Sequence, residues 1–370
     1  MQRRRFRELL AGDAPGSERI FLTSLWFKGH NNPRYAELLP RLSRLDAYLT
    51  SFSDRRIPRG LQYRAFRWTR KARNPALFAL ANRRYKSMLT LDNEQIRYFD
   101  GPVVADVDDP VYDETHVALL QRPNLKAYVV TAERAARRYE ELGVDKPWHV
   151  IPQGVSLASL TDELIARASA RREGGDVVVG WMAAHLLTAG DRDGEDSLYN
   201  VDHLLELWEE IHAKLPRGRL WLVGGASERV RRRVAGRDDI VLFGRLPREQ
   251  ALATAANFDL ALYPRTKDQG IQAAKVGEFI GLGVPTVSYD YRVTENLRET
   301  GAGVLVPSPR EFVDAVVRLG GDAAARAEIA AAARRAGAEL DWDLLARRYE
   351  TEVLDRYLPP AAAARRGDRG

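Results

Sequence analysis

The sequence predicts an α/β protein with two doubly wound parallel sheets. Short apolar runs alternate with helical patterns along most of the chain, and they do so on both sides of Ile151–Val155. A length of 370 residues suffices for two domains of ordinary size. We therefore expect one domain over residues 1–160 and a second over 161–340, followed by a helical segment at 341–358 and a disordered tail at 359–370.

Each predicted element follows from a local pattern. Strands are short apolar runs, as buried parallel strands require, and helices have apolar residues three and four apart. Gly283 and Pro285 separate a helix from the next strand, and Asp341-Trp342-Asp343 caps the last helix. The predicted strands are Arg19–Leu25, Ala47–Phe52, Ser87–Leu91, Pro102–Val107, Lys126–Ala132, Trp148–Pro152, Asp176–Met182, Arg219–Val223, Leu260–Tyr263 and Val284–Tyr289. The predicted helices are Pro33–Leu45, Glu133–Leu142, Asp202–Leu215, Glu249–Asn257, Gly270–Leu282, Arg310–Leu319, Ala323–Glu339 and Leu344–Leu358.

Composition excludes several kinds of site. The chain has no cysteine, so disulfides, thiolate metal sites and cysteine nucleophiles are absent, and the six histidines form no H-x-x-x-H pair. No apolar run approaches 18 residues and no G-x-G-x-x-G opens a helix, which argues against a membrane span and a dinucleotide oxidoreductase. The net charge of +6 favours anionic partners. We expect a cytoplasmic protein with no metal or other cofactor.

The stretch from Phe258 to Asp290 reads as strand, loop, helix and strand. Lys275 and Glu278 lie three apart on one face of the predicted helix, near an N-terminus that favours anions. A phosphate could rest on the amides of Gly270, Ile271 and Gln272 beside Lys275, and the carboxylate could accept bonds from sugar hydroxyls. Arg265 and Lys267 in the preceding loop would add positive charge. An ordinary exposed ion pair explains Lys275 and Glu278 equally well.

Residues Arg55 to Lys86 carry eleven basic side chains and no acidic one, interleaved with aromatic residues. This mixture predicts adsorption to an anionic membrane surface, and hence a peripheral location on the inner face of the membrane. A solvated helix pair in an arginine-rich protein explains the pattern as well, since 49 of the 57 basic residues are arginine. The composition would also suit nucleic acid, although we do not expect that partner.

Carboxylates follow the predicted strand Pro102–Val107. Because open α/β sheets bind ligands at the carboxyl ends of their strands, Asp109 is a candidate catalytic residue, and His116 follows within one loop. The alternatives are a helix N-cap for Asp108 or Asp109 and a surface position for His116.

From Val177 to Leu358 the chain resembles the retaining GT-B glycosyltransferases of family 4. The resemblance rests on Lys275-x-x-Glu278, on the following F-I-G-L-G-V-P-T-V, and on Gly301-Ala302-Gly303-Val304-Leu305-Val306-Pro307. Ile151-Pro152-Gln153-Gly154-Val155 is similar to the family's IPNGV. The resemblance implies two Rossmann-like domains with a cleft between them, a helix at 341–358 that crosses back to the first domain, and a nucleotide-sugar donor in the second domain.

The resemblance also implies roles for individual residues. Glu278 would bind the ribose, Gly244 and Arg245 would lie at the nucleotide base, and Gly29 and His30 would approach the donor phosphates and the acceptor. The loop at 183–200 departs from the family because it lacks the usual arginine and KG pair and holds His185, Arg192 and several acids. We expect a glycosyltransferase that moves a sugar, with retention, to an unidentified acceptor, lipid-linked or glycan. A GT-B epimerase or phosphorylase and a non-catalytic nucleotide-sugar binder remain alternatives.

Overall fold

A computed structural model describes residues 2–3, 18–27, 32–52, 58–191, 201–268 and 273–360. They form two compact units, an N-terminal unit drawn from 1–152 and 342–370 and a C-terminal unit from 153–341. The first boundary therefore lies at residue 152, before the expected 160. Residues 156–175 belong to the C-terminal unit and include a helix, Asp162–Ser169, for which we predicted no element.

The N-terminal unit contains one parallel sheet. Its strands are β1 (Gln2–Arg3), β2 (Ile20–Phe27), β3 (Leu45–Phe52), β4 (Met88–Thr90), β5 (Val103–Val107), β6 (Leu125–Val130) and β7 (Trp148–Val150). Their spatial order is β1-β3-β2-β4-β5-β6-β7, and every pair is parallel. Gln2–Arg3, ahead of the first predicted strand, pairs with β3 and so belongs to the sheet.

The helices of the N-terminal unit connect these strands. They are α1 (Pro33–Arg41), α2 (Arg59–Arg84), a 3-10 helix (Asn93–Tyr98), α3 (Glu114–Leu120) and α4 (Glu133–Glu141). The basic segment at 55–86, for which we considered a pair of helices, forms the single 26-residue helix α2 with Pro75 inside it. Chain 342–358 adds α13 (Trp342–Arg348), a π-helical stretch (Tyr349–Leu354) and α14 (Asp355–Tyr357). Trp342, Leu345 and Tyr349 are buried in the same core as α1 and β2.

The C-terminal unit contains the second parallel sheet. Its strands are β8 (Val177–Leu186), β9 (Gly218–Ala226), β10 (Ile240–Gly244), β11 (Leu260–Tyr263), β12 (Thr286–Tyr289) and β13 (Gly303–Val306). The spatial order β10-β9-β8-β11-β12-β13 is the doubly wound 3-2-1-4-5-6 arrangement. Its helices are α5 (Asp162–Ser169), α6 (Asp202–Lys214), α7 (Glu228–Val234), α8 (Arg248–Ala255), α9 (Ala274–Gly281), α10 (Asn296–Thr300), α11 (Pro309–Gly321) and α12 (Ala323–Ala338).

Two parallel, doubly wound sheets confirm the predicted fold class. Helices α3, α7 and α10 were not predicted, because each has only five to seven residues, too few to display a helical period. Helix α9 begins at Ala274 rather than at the predicted Gly270. Residues 361–370, within the predicted tail, lie outside the described residues.

Candidate functional site

The C-terminal unit presents its candidate site at one edge of the sheet. The strand order reverses between β8 and β11, and in such sheets ligands bind at the carboxyl ends of the strands near the reversal. Arg265 and Lys267 follow β11 directly, and α9 carries Lys275 and Glu278. The sheet therefore brings these four predicted residues to the same edge. The predicted amide cradle of Gly270, Ile271 and Gln272 lies outside the described residues.

Arg265 is the most deeply buried cation of this edge, with 8% of its surface exposed. Its Nη1 donates a hydrogen bond to the Tyr263 hydroxyl at 3.2 Å, and in the part of the chain that the structure describes its Nε has no hydrogen-bond partner. No carboxylate pairs with it within the described ranges. Since a buried, unneutralised guanidinium is costly, an anion at this position would be stabilised strongly. Lys267, two residues on, is exposed.

Glu278 is held by a residue that the sequence interpretation did not single out. Its Oε1 accepts a hydrogen bond from Arg248 Nη1, at the start of α8, at 2.6 Å. The ion pair of Glu278 among the described residues is thus with Arg248 and not the local pair with Lys275 that we considered. The ion pair with Arg248 fixes the orientation of the Glu278 carboxylate. Its remaining lone pairs stay available to accept hydrogen bonds from a ligand. Lys275 is the second residue of α9 and is half-buried.

The ends of β8, β9 and β10 complete this edge. Gly244 closes β10 with φ +73°, in the left-handed region that favours glycine, and Arg245 after it is exposed. A Cβ added to Gly225 would lie 3.8 Å from His185 Nδ1 and 3.9 Å from Arg245 Cβ. His185, Gly225 and Arg245 are therefore neighbours, although they come from three different strands.

One acid, Asp191, holds the described part of the divergent loop after β8 in place. Asp191 accepts hydrogen bonds from Ser227 Oγ at 2.6 Å and from the amide and hydroxyl of Thr188 at 2.7 and 2.9 Å. The bonds from Ser227 and Thr188 lower the pKa of Asp191. This carboxylate therefore has a structural role. Arg192 and the rest of the loop to residue 200 lie outside the described residues.

The N-terminal unit has its own cavity, of about 210 Å³, at the carboxyl ends of its strands. The strand order reverses between β2 and β4, and the cavity lies where these two strands and β5 end. Asp109 and His116 both line it, so the structure brings the two candidate catalytic residues together. Asp109 is exposed. Gly29 and His30 lie outside the described residues.

Asp108, which we had considered only as a helix cap, also lines this cavity and is held in place there. It is half-buried, and its Oδ2 accepts a hydrogen bond from Asn32 Nδ2 at 2.5 Å. Burial raises the pKa of Asp108, against the opposing influence of Arg34 and Asn32. The following helix α3 is capped instead by Asp113, whose Oδ1 accepts bonds from the amide of His116 at 2.8 Å and pairs with its Nδ1 at 2.8 Å.

A buried ion pair supports the wall of this cavity. Arg34 is fully buried and donates to Asp106 through Nε at 3.1 Å and Nη2 at 2.9 Å. Its Nη1 donates to the carbonyls of Ile151 and Pro152 at 2.9 and 3.0 Å. The Tyr35 hydroxyl also donates to Asp106, at 3.2 Å. The network fixes α1 against β5, and so fixes the segment that carries Asp108.

Two further observations concern the described residues alone. Nowhere in them do three or more His, Asp or Glu side chains form a group that could hold a metal ion. None of their helices combines the length and apolar character that a membrane crossing needs. The expectation of a metal-independent site stays a prediction.

Comparison with known proteins gives a family match and a fold. The family model for glycosyl transferases group 1 matches residues 185–322, which is less than half of the chain. No curated protein sequence matches the chain.

Solved structures resemble the whole chain. Anabaena HepE in complex with UDP has a TM-score of 0.66 at 14% identity, over 90% of this chain and 99% of that one. A glycosyltransferase from Rickettsia africae has 0.66 at 11% identity, over 92% and 99%. WaaG, a glycosyltransferase of lipopolysaccharide biosynthesis, has 0.60 at 12% identity, over 91% and 99%. The chain therefore has the GT-B fold with two Rossmann-like domains, as predicted.

Proposed function

We propose that the protein is a retaining glycosyltransferase that moves a sugar from a nucleotide diphosphate donor to an acceptor. The observation that carries the proposal is the set of charges at the carboxyl edge of the second sheet. There Arg265 is buried with no carboxylate partner among the described residues, and Glu278 is oriented by Arg248. The group 1 match covers this edge, and HepE, which shares the fold, was solved with UDP and with UDP-glucose.

In this proposal the ribose and the diphosphate of the donor each bind to side chains of this edge. Glu278 accepts hydrogen bonds from the ribose hydroxyls, while Lys275 and Arg265 meet the diphosphate with help from Lys267. The leaving diphosphate gains charge as the sugar departs, so preorganised cations lower the barrier in place of a metal ion. The divergent loop, which lacks the family's usual basic pair, leaves more of this task to Arg265.

The acceptor would use the cavity of the N-terminal unit. Its hydroxyl must lose a proton as the new bond forms, and a carboxylate of raised pKa is a suitable proton acceptor near neutral pH. Asp108 has that property and is fixed by Asn32, whereas Asp109 and His116 would position the acceptor or handle its proton. The acceptor's identity, a lipid-linked molecule or a glycan, is left to experiment.

Calorimetry with uridine, UDP and UDP-glucose tests the donor site. Glu278→Gln should weaken all three about tenfold or more, since a charged hydrogen bond contributes roughly 1.5–3 kcal/mol. Lys275→Ala and Arg265→Gln should spare uridine, weaken UDP and lower turnover. If UDP binds both of these variants as it binds the wild type, α9 and its loop serve only structure.

Product analysis separates the competing functions. Incubation with UDP-glucose alone should leave the sugar unchanged, whereas an epimerase would convert it without an acceptor. With an acceptor, NMR of the product should show the donor's anomeric configuration. Binding of donor without transfer to any acceptor in a panel would favour the non-catalytic reading.

A further inference from the structure

A second and larger cavity in the N-terminal unit lies between α2 and the 3-10 helix Asn93–Tyr98. Its volume is about 660 Å³, within the range of small-molecule sites. Four cations line it, against the single carboxylate of Glu94. The cations are Arg67, Arg70, Lys71 and Arg97.

Three of these cations are not neutralised. Arg70 pairs with Asp92, and with Glu94 at 3.2 Å. In contrast, Arg67, Lys71 and Arg97 have no carboxylate partner within the described ranges. Unpaired cations on a concave wall concentrate an anionic ligand, because the protein side of the wall screens their field less than water does.

Asn74 provides an independent sign of a ligand. Asn74 lines the cavity and is only 2% exposed, and its Oδ1 has no hydrogen-bond partner among the described residues. Buried amide oxygens are almost always satisfied, so an unpartnered one in a residue that lines a cavity indicates that a bound molecule supplies the donor. A ligand hydroxyl would supply it.

The cavity adjoins the one at the strand ends, since His116 lines both. Asp113 holds His116 through Nδ1, at 2.8 Å, and Nε2 has no partner among the described residues. A ligand whose anionic group occupies the cation-lined cavity could therefore extend past His116 towards Asp108.

We propose that the cation-lined cavity binds a phosphoryl group of the acceptor, which is a hydroxylated phosphate ester. The inference rests on the proposed function and adds the acceptor's chemical class to it. Phosphoryl oxygens match the guanidinium and ammonium donors, and a neighbouring hydroxyl of the ester matches Asn74. The ester can be a soluble sugar or polyol phosphate or the headgroup of a phospholipid.

Two variants with equal charge loss test the site. Arg67→Gln/Arg97→Gln removes two lining cations. Arg122→Gln/Arg347→Gln removes two exposed arginines of the same unit that lie outside both the lining and α2. Calorimetry with glycerol 3-phosphate and inorganic phosphate should give binding about tenfold or more weaker in the first variant and near wild type in the second. Asn74→Leu should weaken glycerol 3-phosphate but not inorganic phosphate.

Vesicles distinguish the source of the phosphate. If the ligand is a headgroup, phosphatidylglycerol vesicles should bind while glycerol 3-phosphate does not, and the lining variant should lose more binding than its control. Equal loss in both variants with either probe, or no binding to any probe, overturns the proposal. UDP affinity measured on the same proteins distinguishes a failure of this proposal from a failure of the proposed function. If UDP binds but neither the phosphate probes nor the vesicles do, only the phosphoryl site is rejected. If the phosphate probes or vesicles bind but UDP does not, only the donor site is rejected.

Discussion

At the residue scale, the contact between Arg248 and Glu278 gives the first prediction. Arg248 orients the carboxylate that we assign to the ribose, so Arg248→Gln should weaken uridine and UDP alike. The pair is partly exposed, with 42% and 14% of the two side chains accessible, so the loss should be about threefold to tenfold. Calorimetry measures it, with the exposed Arg318→Gln as control. Unchanged uridine affinity would contradict the assignment.

The raised pKa of Asp108 gives a prediction on pH. Burial makes the protonated form easier to hold in the folded protein than in the unfolded chain. Asp108 therefore contributes most to the free energy of unfolding when it is protonated, below the ordinary carboxyl pKa of about 4. This contribution is lost as the pH rises through the raised pKa. Asp108→Asn removes this dependence.

Denaturant titrations of wild type and Asp108→Asn between pH 4 and pH 8 measure the effect. The variant should gain stability relative to wild type as pH rises, while transfer to the acceptor is lost because the proton acceptor is gone. The matched control is Asp109→Asn, which makes the same change at the neighbouring, exposed carboxylate. A stability difference independent of pH would mean that the Asp108 carboxyl is not perturbed.

The pair of Arg34 and Asp106 predicts a large loss when broken on one side. Arg34→Met leaves a buried carboxylate without its cation, which should cost about 3–5 kcal/mol. Arg34→Met/Asp106→Leu removes both charges and should be less destabilised than Arg34→Met. Urea titration of the two proteins checks the order, and the reverse order would show that volume rather than charge dominates.

At the element scale, α2 predicts membrane adsorption. Its surface exposes Trp68 at 72% and Leu61 at 50% among the basic side chains. Each arginine near an anionic surface contributes about 1 kcal/mol, so Arg64→Gln should weaken adsorption about fivefold. Trp68→Ser should weaken it several-fold by removing the interfacial ring.

Sedimentation with phosphatidylglycerol and with phosphatidylcholine vesicles measures this adsorption, which salt should weaken. The matched control is Arg232→Gln in α7, a separate helix of the C-terminal unit in which four of the seven residues are arginine. Equal sedimentation with both lipids would remove the membrane hypothesis and leave α2 as a solvated helix.

Elements also show what the sequence could predict. Strand Leu260–Tyr263 was predicted with both of its ends correct, because four apolar residues between turn signals specify a buried strand locally. The start of α9 was misplaced, since the Gly270–Gln272 stretch continues the helical pattern and no capping residue marks Ala273. Arg248 and Asn32 escaped notice because their partners lie 30 and 76 residues away, and only the fold brings them together.

At the scale of the whole molecule, both sheets place chemistry at the same topological feature. A candidate site lies at the carboxyl ends beside a reversal of strand order in each sheet, between β2 and β4 in the first and between β8 and β11 in the second. This is why the alternation of strands and helices predicted the regions of both sites. The alternation does not show which charged side chains at these edges are buried. The burial of Arg265 was therefore not predicted.

The chain's return to the N-terminal unit supplies the last prediction. Trp342, Leu345 and Tyr349 are buried in the core of that unit. In the sequence, the 189 residues of the C-terminal unit, 153–341, separate them from the strands that they cover. Trp342→Ala leaves a large cavity and should destabilise that unit by about 3–5 kcal/mol. Trp221→Ala, in a core of the C-terminal unit, is the matched control. Hydrogen exchange by mass spectrometry should show loss of protection in peptides of β2 to β7 for the first variant, and of β8 to β13 for the second. Loss confined to 342–358 in the first variant would show that this segment covers the sheet without stabilising it.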